Sequence, residues 1–142
     1  MITVELTNDF IYRIVDNIED AFHQDTRYFP ARINFYIQKN VNSLRKLKDE
    51  INETREKMIL HYGTYDAKTG YCNVPETNLE SLNKEIQELM EIKQEISLYQ
   101  IPLEWLDALD LSFPQMEALM FMIDDSEVEI QSEGVEEEVL YE

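Results

Sequence analysis

The feature that most constrains this chain is an apolar seam carried by two segments, residues 30–62 and 75–97. In the first, Ile33, Ile37, Asn40, Leu44, Leu47, Ile51 and Met58 recur in steps of three and four, the spacing that puts side chains on one face of a helix. Leu79, Leu82, Ile86, Leu89 and Ile96 repeat the pattern in the second. Neither helix can bury its stripe alone, so the spacing predicts a long antiparallel helical hairpin. At about 1.5 Å per residue the arms would be roughly 50 Å and about 35 Å long. The first third of the longer arm, residues 30–41, is then left without a partner. Because it carries Ile33, Phe35, Tyr36 and Ile37, it needs cover from an N-terminal helix or from elements near the C-terminus.

The flanking sequence supplies both. Residues 2–6 alternate apolar and polar side chains and read as a strand. Thr7 or Asn8 then caps a helix whose stripe is Phe10, Ile11, Ile14, Val15, Ile18 and Phe22, ending near His23. Pro30 suits the first turn of the long helix, and Gly63 can end it in a left-handed conformation. Asp66 and Gly70 have the chemistry to open and close a turn between the arms. Residues 96–101 alternate again and are expected to pair with residues 2–6. A short helical turn at 103–109 precedes a helix over 112–123, where Ser112 and Gln115 have capping-box spacing. Phe113, Met116, Leu119, Met120, Phe121, Met122 and Ile123 make that helix apolar nearly all round, so it is either core or interface. The expected fold is α+β and mostly α, a single domain over residues 1–125, with residues 126–142 an acidic tail or edge hairpin.

Charge narrows the function. The formal net charge is −18, and residues 94–142 hold fourteen Asp and Glu with no Lys or Arg, which leaves −4 for the rest. Residues 26–48 are the opposite, with Arg27, Arg32, Lys39, Arg45, Lys46 and Lys48 and no carboxylate. A field of this kind disfavours nucleic acid and anionic membrane as direct partners and favours a protein with a basic surface. Arg32, Lys39 and Lys46, seven apart and interleaved with Tyr28, Phe29, Phe35 and Tyr36, could contact phosphate, but the preferred reading is that they neutralise the chain's own acidic third. The N-terminus does not read as a signal peptide and no run is apolar enough to span a membrane. With a lone cysteine, Cys72, a reducing, cytoplasmic setting is expected.

Chemistry is harder to find. His23 and His61 are the two histidines, and no nucleophile can be tied to either. His61 lies on the seam and reads as a capping or partly buried side chain. Glu85, Glu88, Glu91 and Glu95 share a helical face, yet no Glu precedes a His by three as carboxylate-bridged metal pairs require. The acidic tail does not fit a calcium loop, because Gly134 at the sixth position would put Leu140 at the twelfth. Gly63, Gly70 and Gly134 are too isolated for a phosphate-binding loop. No enzyme, cofactor or metal is expected. The candidate site residues belong to partner binding: Glu127, Glu129, Glu133, Glu136, Glu137 and Glu138 in the acidic tail, with Trp105, Met116 and Met120 as apolar anchors.

An N-terminal strand, a helical hairpin with Tyr62 and Gly63 followed by the Asp66-to-Gly70 turn, the run from Leu82 to Glu85 on the return arm, and Leu109 to Ser112 leading into Ala118 to Asp124 resemble small accessory proteins of tailed phages of Gram-positive bacteria. The resemblance covers about residues 1–125. It implies a phage accessory protein and transfers no catalytic residue. With the charge, it gives the expectation of a phage-encoded inhibitor that acts as a DNA mimic on a basic nucleic-acid-handling protein in the host cytoplasm, such as a defence enzyme. The alternative is a virion structural or assembly protein that forms homo-oligomers through its helices.

Overall fold

The computed structural model describes residues 1–124, and the chain is mostly helical with small sheets, an α+β fold. Strand β1 (Ile2–Thr7) runs into helix α1 (Asn8–Ala21). A connector leads to the long helix α2 (Ala31–Tyr62), followed by strands β2 (Thr64–Asp66) and β3 (Tyr71–Asn73) and helix α3 (Glu76–Glu91). Strands β4 (Lys93–Leu98) and β5 (Ile101–Pro102), a 3-10 helix (Leu103–Leu109), helix α4 (Phe113–Leu119), a 3-10 turn (Met120–Met122) and β6 (Ile123–Asp124) complete it. β1 pairs with β4, β2 with β3 antiparallel, and β5 with β6 parallel. No helix among the described residues is long and apolar enough to cross a membrane.

The chain divides into two compact units. One holds residues 3–16 and 41–96, and its buried residues are Ile11, Ile14 and Val15 of α1, Val41, Leu44 and Ile51 of α2, Leu82 and Leu89 of α3, and Ile96 of β4. The other holds residues 1–2, 17–40 and 97 onward, with Ile18, Ile33, Leu98, Ile101, Leu106, Ala118, Leu119 and Met122 buried. In this second unit the first third of α2 receives its cover from the elements that follow residue 97.

Several local expectations are corrected. Residues 92–97 are not helical: α3 stops at Glu91 and Ile92 is extended. The cause lies at the other end of the chain. Asn8 donates its side-chain amide to Leu89 O at 2.9 Å and its backbone N–H to Ile92 O at 2.8 Å, capping carbonyls the helix leaves open. Thr7, whose Oγ accepts from Phe10 N–H at 3.1 Å, caps α1, which frees Asn8 for that task. The strand expected over 96–101 therefore lies at Lys93–Leu98 and breaks at Tyr99. His61 and Leu79, both placed on the seam, are exposed. The helix expected over 112–123 ends at Leu119, although its capping box forms, with Gln115 N–H donating to Ser112 Oγ and Ser112 N–H to Gln115 Oε1.

Gly63 is a correction of another kind. Among the described residues only Gly70 and Asp110 adopt positive φ, so α2 does not end in a left-handed glycine. Gly63 is instead a close approach, where an added Cβ would lie 2.7 Å from Cys72 Sγ, 2.8 Å from Asn73 O and 3.0 Å from Ile59 O. Gly70 has open space but φ of 77°. Gly63→Ala should thus cost roughly 1–3 kcal/mol through overpacking against backbone oxygens, and Gly70→Ala about 1 kcal/mol through backbone strain alone. Denaturant unfolding of the two variants checks the order, and a larger loss for Gly70→Ala would refute this account.

Candidate interaction surface

Within the second unit, the connector between α1 and α2 is fastened by Arg27. Its Nε and Nη2 donate to the Asp25 carboxylate at 2.6–3.1 Å, Nη2 also to Gln115 Oε1 at 2.9 Å, and Nη1 to Asp110 O at 3.2 Å and to Leu109 O. Gln115, buried at the start of α4, donates in turn to Ala21 O at 3.1 Å and to Asp25 at 2.8 Å. Asp110 presents its carbonyl from a left-handed backbone, φ 51° and ψ 54°. One guanidinium thus ties the connector to the 3-10 helix and α4, with Gln115 joining the end of α1. The Arg27 side-chain hydrogen bonds, then its backbone N–H and the Gln115 amide, hold the Asp25 carboxyl well below the usual carboxylate range. The same hydrogen bonds push the Arg27 guanidinium up.

Asp25 gives up its proton more readily folded than unfolded, so its contribution is fully present above about pH 4 and is lost as the pH falls toward the lower folded value. Asp25→Asn should flatten the fall of melting temperature with pH below about 4. Circular dichroism melts of both proteins would show parallel curves if this reading is mistaken.

Beside this lock runs a ladder of rings. Tyr36 of α2 stacks on Tyr99 with centroids 4.8 Å apart and lies 5.8 Å from Trp105. Phe35 meets Tyr99 edge-on at 6.1 Å. Each end carries a cation, Arg32 at 6.0 Å from the Trp105 ring and Lys39 at 5.8 Å from Phe35. Such contacts are worth about 0.5–1 kcal/mol each at exposed sites. Neither cation forms an ion pair within the described residues.

Of the expected partner-binding residues, Glu127, Glu129, Glu133, Glu136, Glu137 and Glu138 lie outside the described residues. Trp105 is half-buried in the ladder, Met116 is half-buried on α4, and Met120 is 55% exposed. The Met-rich segment is both core and surface: Leu119 and Met122 are fully buried, while Phe113 is exposed with Met120. Glu104, Asp107, Asp110 and Glu117 are all exposed, and Glu104, Asp107 and Glu117 make no ion pair among the described residues. The lock and Tyr99's place in the ladder were not expected; the interleaving of Arg32, Lys39, Phe35 and Tyr36 was the signal that pointed to half of the ladder.

Beside the lock, a cavity of about 470 Å³ is lined by Asp25 and Arg27 together with Ile18, Phe22, Phe29 and Ile37. Phe22 and Phe29 meet edge-on with centroids 5.8 Å apart. In the first unit Cys72 donates to Ile59 O at 3.6 Å, and Tyr62 donates to Glu85, which pushes the phenol pKa up. His23 and His61 are exposed, and among the described residues no three His, Cys, Asp or Glu gather as a metal site. No protein-family model matches the chain, and no curated protein or solved structure matches it.

Proposed function

We propose that this protein is a non-catalytic, acidic binding module whose carboxylates engage a basic, nucleic-acid-handling protein. The observation that carries the reading is the exposure of Glu104, Asp107, Asp110 and Glu117 on elements fixed by the Arg27 lock, followed in sequence by the glutamates of residues 127–138. Carboxylates spaced on a rigid frame can occupy a groove built for phosphates, with association that is fast and salt-sensitive. The scaffold in this reading is an antiparallel hairpin of α2 and α3. It is supported by the burial of Leu44, Ile51, Leu82 and Leu89 in one unit and by hydrogen bonds from Asn78 to Tyr62 O at 2.8 Å and from Tyr62 to Glu85. The resemblance to accessory proteins of tailed phages makes a host defence enzyme the narrower target.

The test is affinity capture from a Gram-positive lysate, with bound protein competed off by duplex DNA. A basic DNA-binding protein should be retained at low salt and released both by DNA and by high salt. Retention that ignores both would rule out a phosphate-mimicking surface. A virion assembly role is the second reading, supported by the exposure of Phe113 and Met120. Light scattering of the purified protein separates it, since assembly requires a ring or filament.

A further inference from the structure

We propose that the cavity beside the Asp25–Arg27 pair is a binding site for a small organic cation, an ammonium group carried on a compact apolar body. Its volume of about 470 Å³ lies within the range of about 300–1,000 Å³ in which proteins bury small molecules. Ile18, Phe22, Phe29 and Ile37 give it an apolar floor, Ile18 buried and the other three half-buried. Side chains around a hollow of this size lose packing contacts that the body of a ligand restores.

The polar lining selects the charge. Arg27 spends its five N–H groups on Asp25, Gln115 and the Leu109 and Asp110 carbonyls, so it has no donor left for an anion. The lining holds two carboxylates, Glu19 and Asp25, against that one guanidinium, and is therefore negative by one charge. Ile18 and Glu19 stand in the last turn of α1, the end where helix carbonyls carry partial negative charge, and that turn has no basic residue of its own. Three rings, Phe22, Tyr28 and Phe29, border the same space, and an aromatic face attracts a cation within about 6 Å of its centre. Arg27 already uses Phe29 in this way at 5.8 Å. A ligand cation would meet Glu19 and the other rings while its apolar body rests on Ile18 and Ile37. An anion would meet the carboxylates with no guanidinium donor to offset them. The net charge of −18 also concentrates cations around the chain. None of Glu104, Asp107, Asp110 and Glu117 lines this cavity, so the inference does not depend on the acidic surface proposed above.

The test is an NMR titration of the isotope-labelled full-length chain with 2-phenylethylammonium, 2-phenylethanol and 3-phenylpropionate, one aromatic body with a positive, neutral or negative head. Amide shifts should centre on residues 18–37. The ammonium should bind about tenfold more tightly than the propionate, with the alcohol between them. Glu19→Gln removes an exposed charge without touching the core, and should weaken the ammonium about threefold to fivefold while leaving the alcohol unchanged. Asp20→Asn, the same charge change at an exposed neighbour outside this lining, should titrate like wild type. Equal affinity for ammonium and propionate, equal effects of Glu19→Gln and Asp20→Asn, or shifts spread over the acidic surface instead of the cavity would overturn the proposal. So would an acetylated lysine amide that binds more tightly than 2-phenylethylammonium, since the cavity would then be shaped for a partner's basic side chain. Partner capture reads a different surface, so its failure leaves this site standing, and the reverse holds.

Discussion

Replacing Asn40 with leucine should lower stability by roughly 2–4 kcal/mol, even though leucine is apolar, close in size and bound for a site only 1% exposed. The Asn40 amide faces the Tyr99 backbone at two points. Tyr99 N–H donates to Asn40 Oδ1 at 2.8 Å, and Asn40 Nδ2 donates to Tyr99 O at 2.8 Å, with Met122 Sδ 3.3 Å away. The side chain thus acts as one residue of a missing strand. Leucine would leave both Tyr99 groups without partners, the case in which the desolvation penalty is felt in full. Asn40→Asp gives a sharper test, because it keeps the acceptor and replaces the donor. Its carboxyl has to hold a proton to satisfy Tyr99 O, so the folded value would be raised. Stability should then be near wild type below about pH 4 and fall as the pH climbs through the folded value. Urea unfolding followed by Trp105 emission would reject this account if Asn40→Asp were as stable at pH 7 as at pH 4.

Asn40 also shows what could be read in advance. Its place on the seam was visible, and a seam position is a buried one. It is buried, but its partner is the backbone of a residue 59 positions away, which no periodicity encodes. The same holds for Asn8, whose bond to Leu89 O spans 81 positions and fixes where α3 stops. Features set by neighbours in sequence were legible: the long helix from its three-and-four spacing, the Asp66-to-Gly70 turn, and the Ser112 capping box. Features set by contact were not. Arg27 looked like one charge among six, and only the fold gives it the Leu109 and Asp110 carbonyls as acceptors. Trp105 was marked as an anchor for a partner, yet in the described structure its ring faces Tyr36 and Arg32.

The second large effect is expected at Leu119→Ala, about 3–4 kcal/mol, because Leu119 is 0% exposed and its truncation leaves a cavity that flanking elements refill only in part. Its neighbour should behave oppositely. Met120 is 55% and Phe113 77% exposed, so Met120→Ser and Phe113→Ser should each change stability by no more than about 0.5 kcal/mol. The contrast divides one apolar run into two jobs that hydropathy cannot separate. The buried residues hold α4 under the Arg27 lock, since Gln115 reaches Ala21 and Asp25 only while the helix stays seated. The exposed pair lies seven residues apart and is free to meet another molecule. Denaturant melts combined with light scattering tell the jobs apart. Leu119→Ala should lower the melting point without altering mass, whereas Phe113→Ser should leave the melt alone and reduce mass only if copies associate through this face. Equal losses of stability at Leu119 and Met120 would mean that the run is core throughout, and the assembly reading would lose its supporting observation.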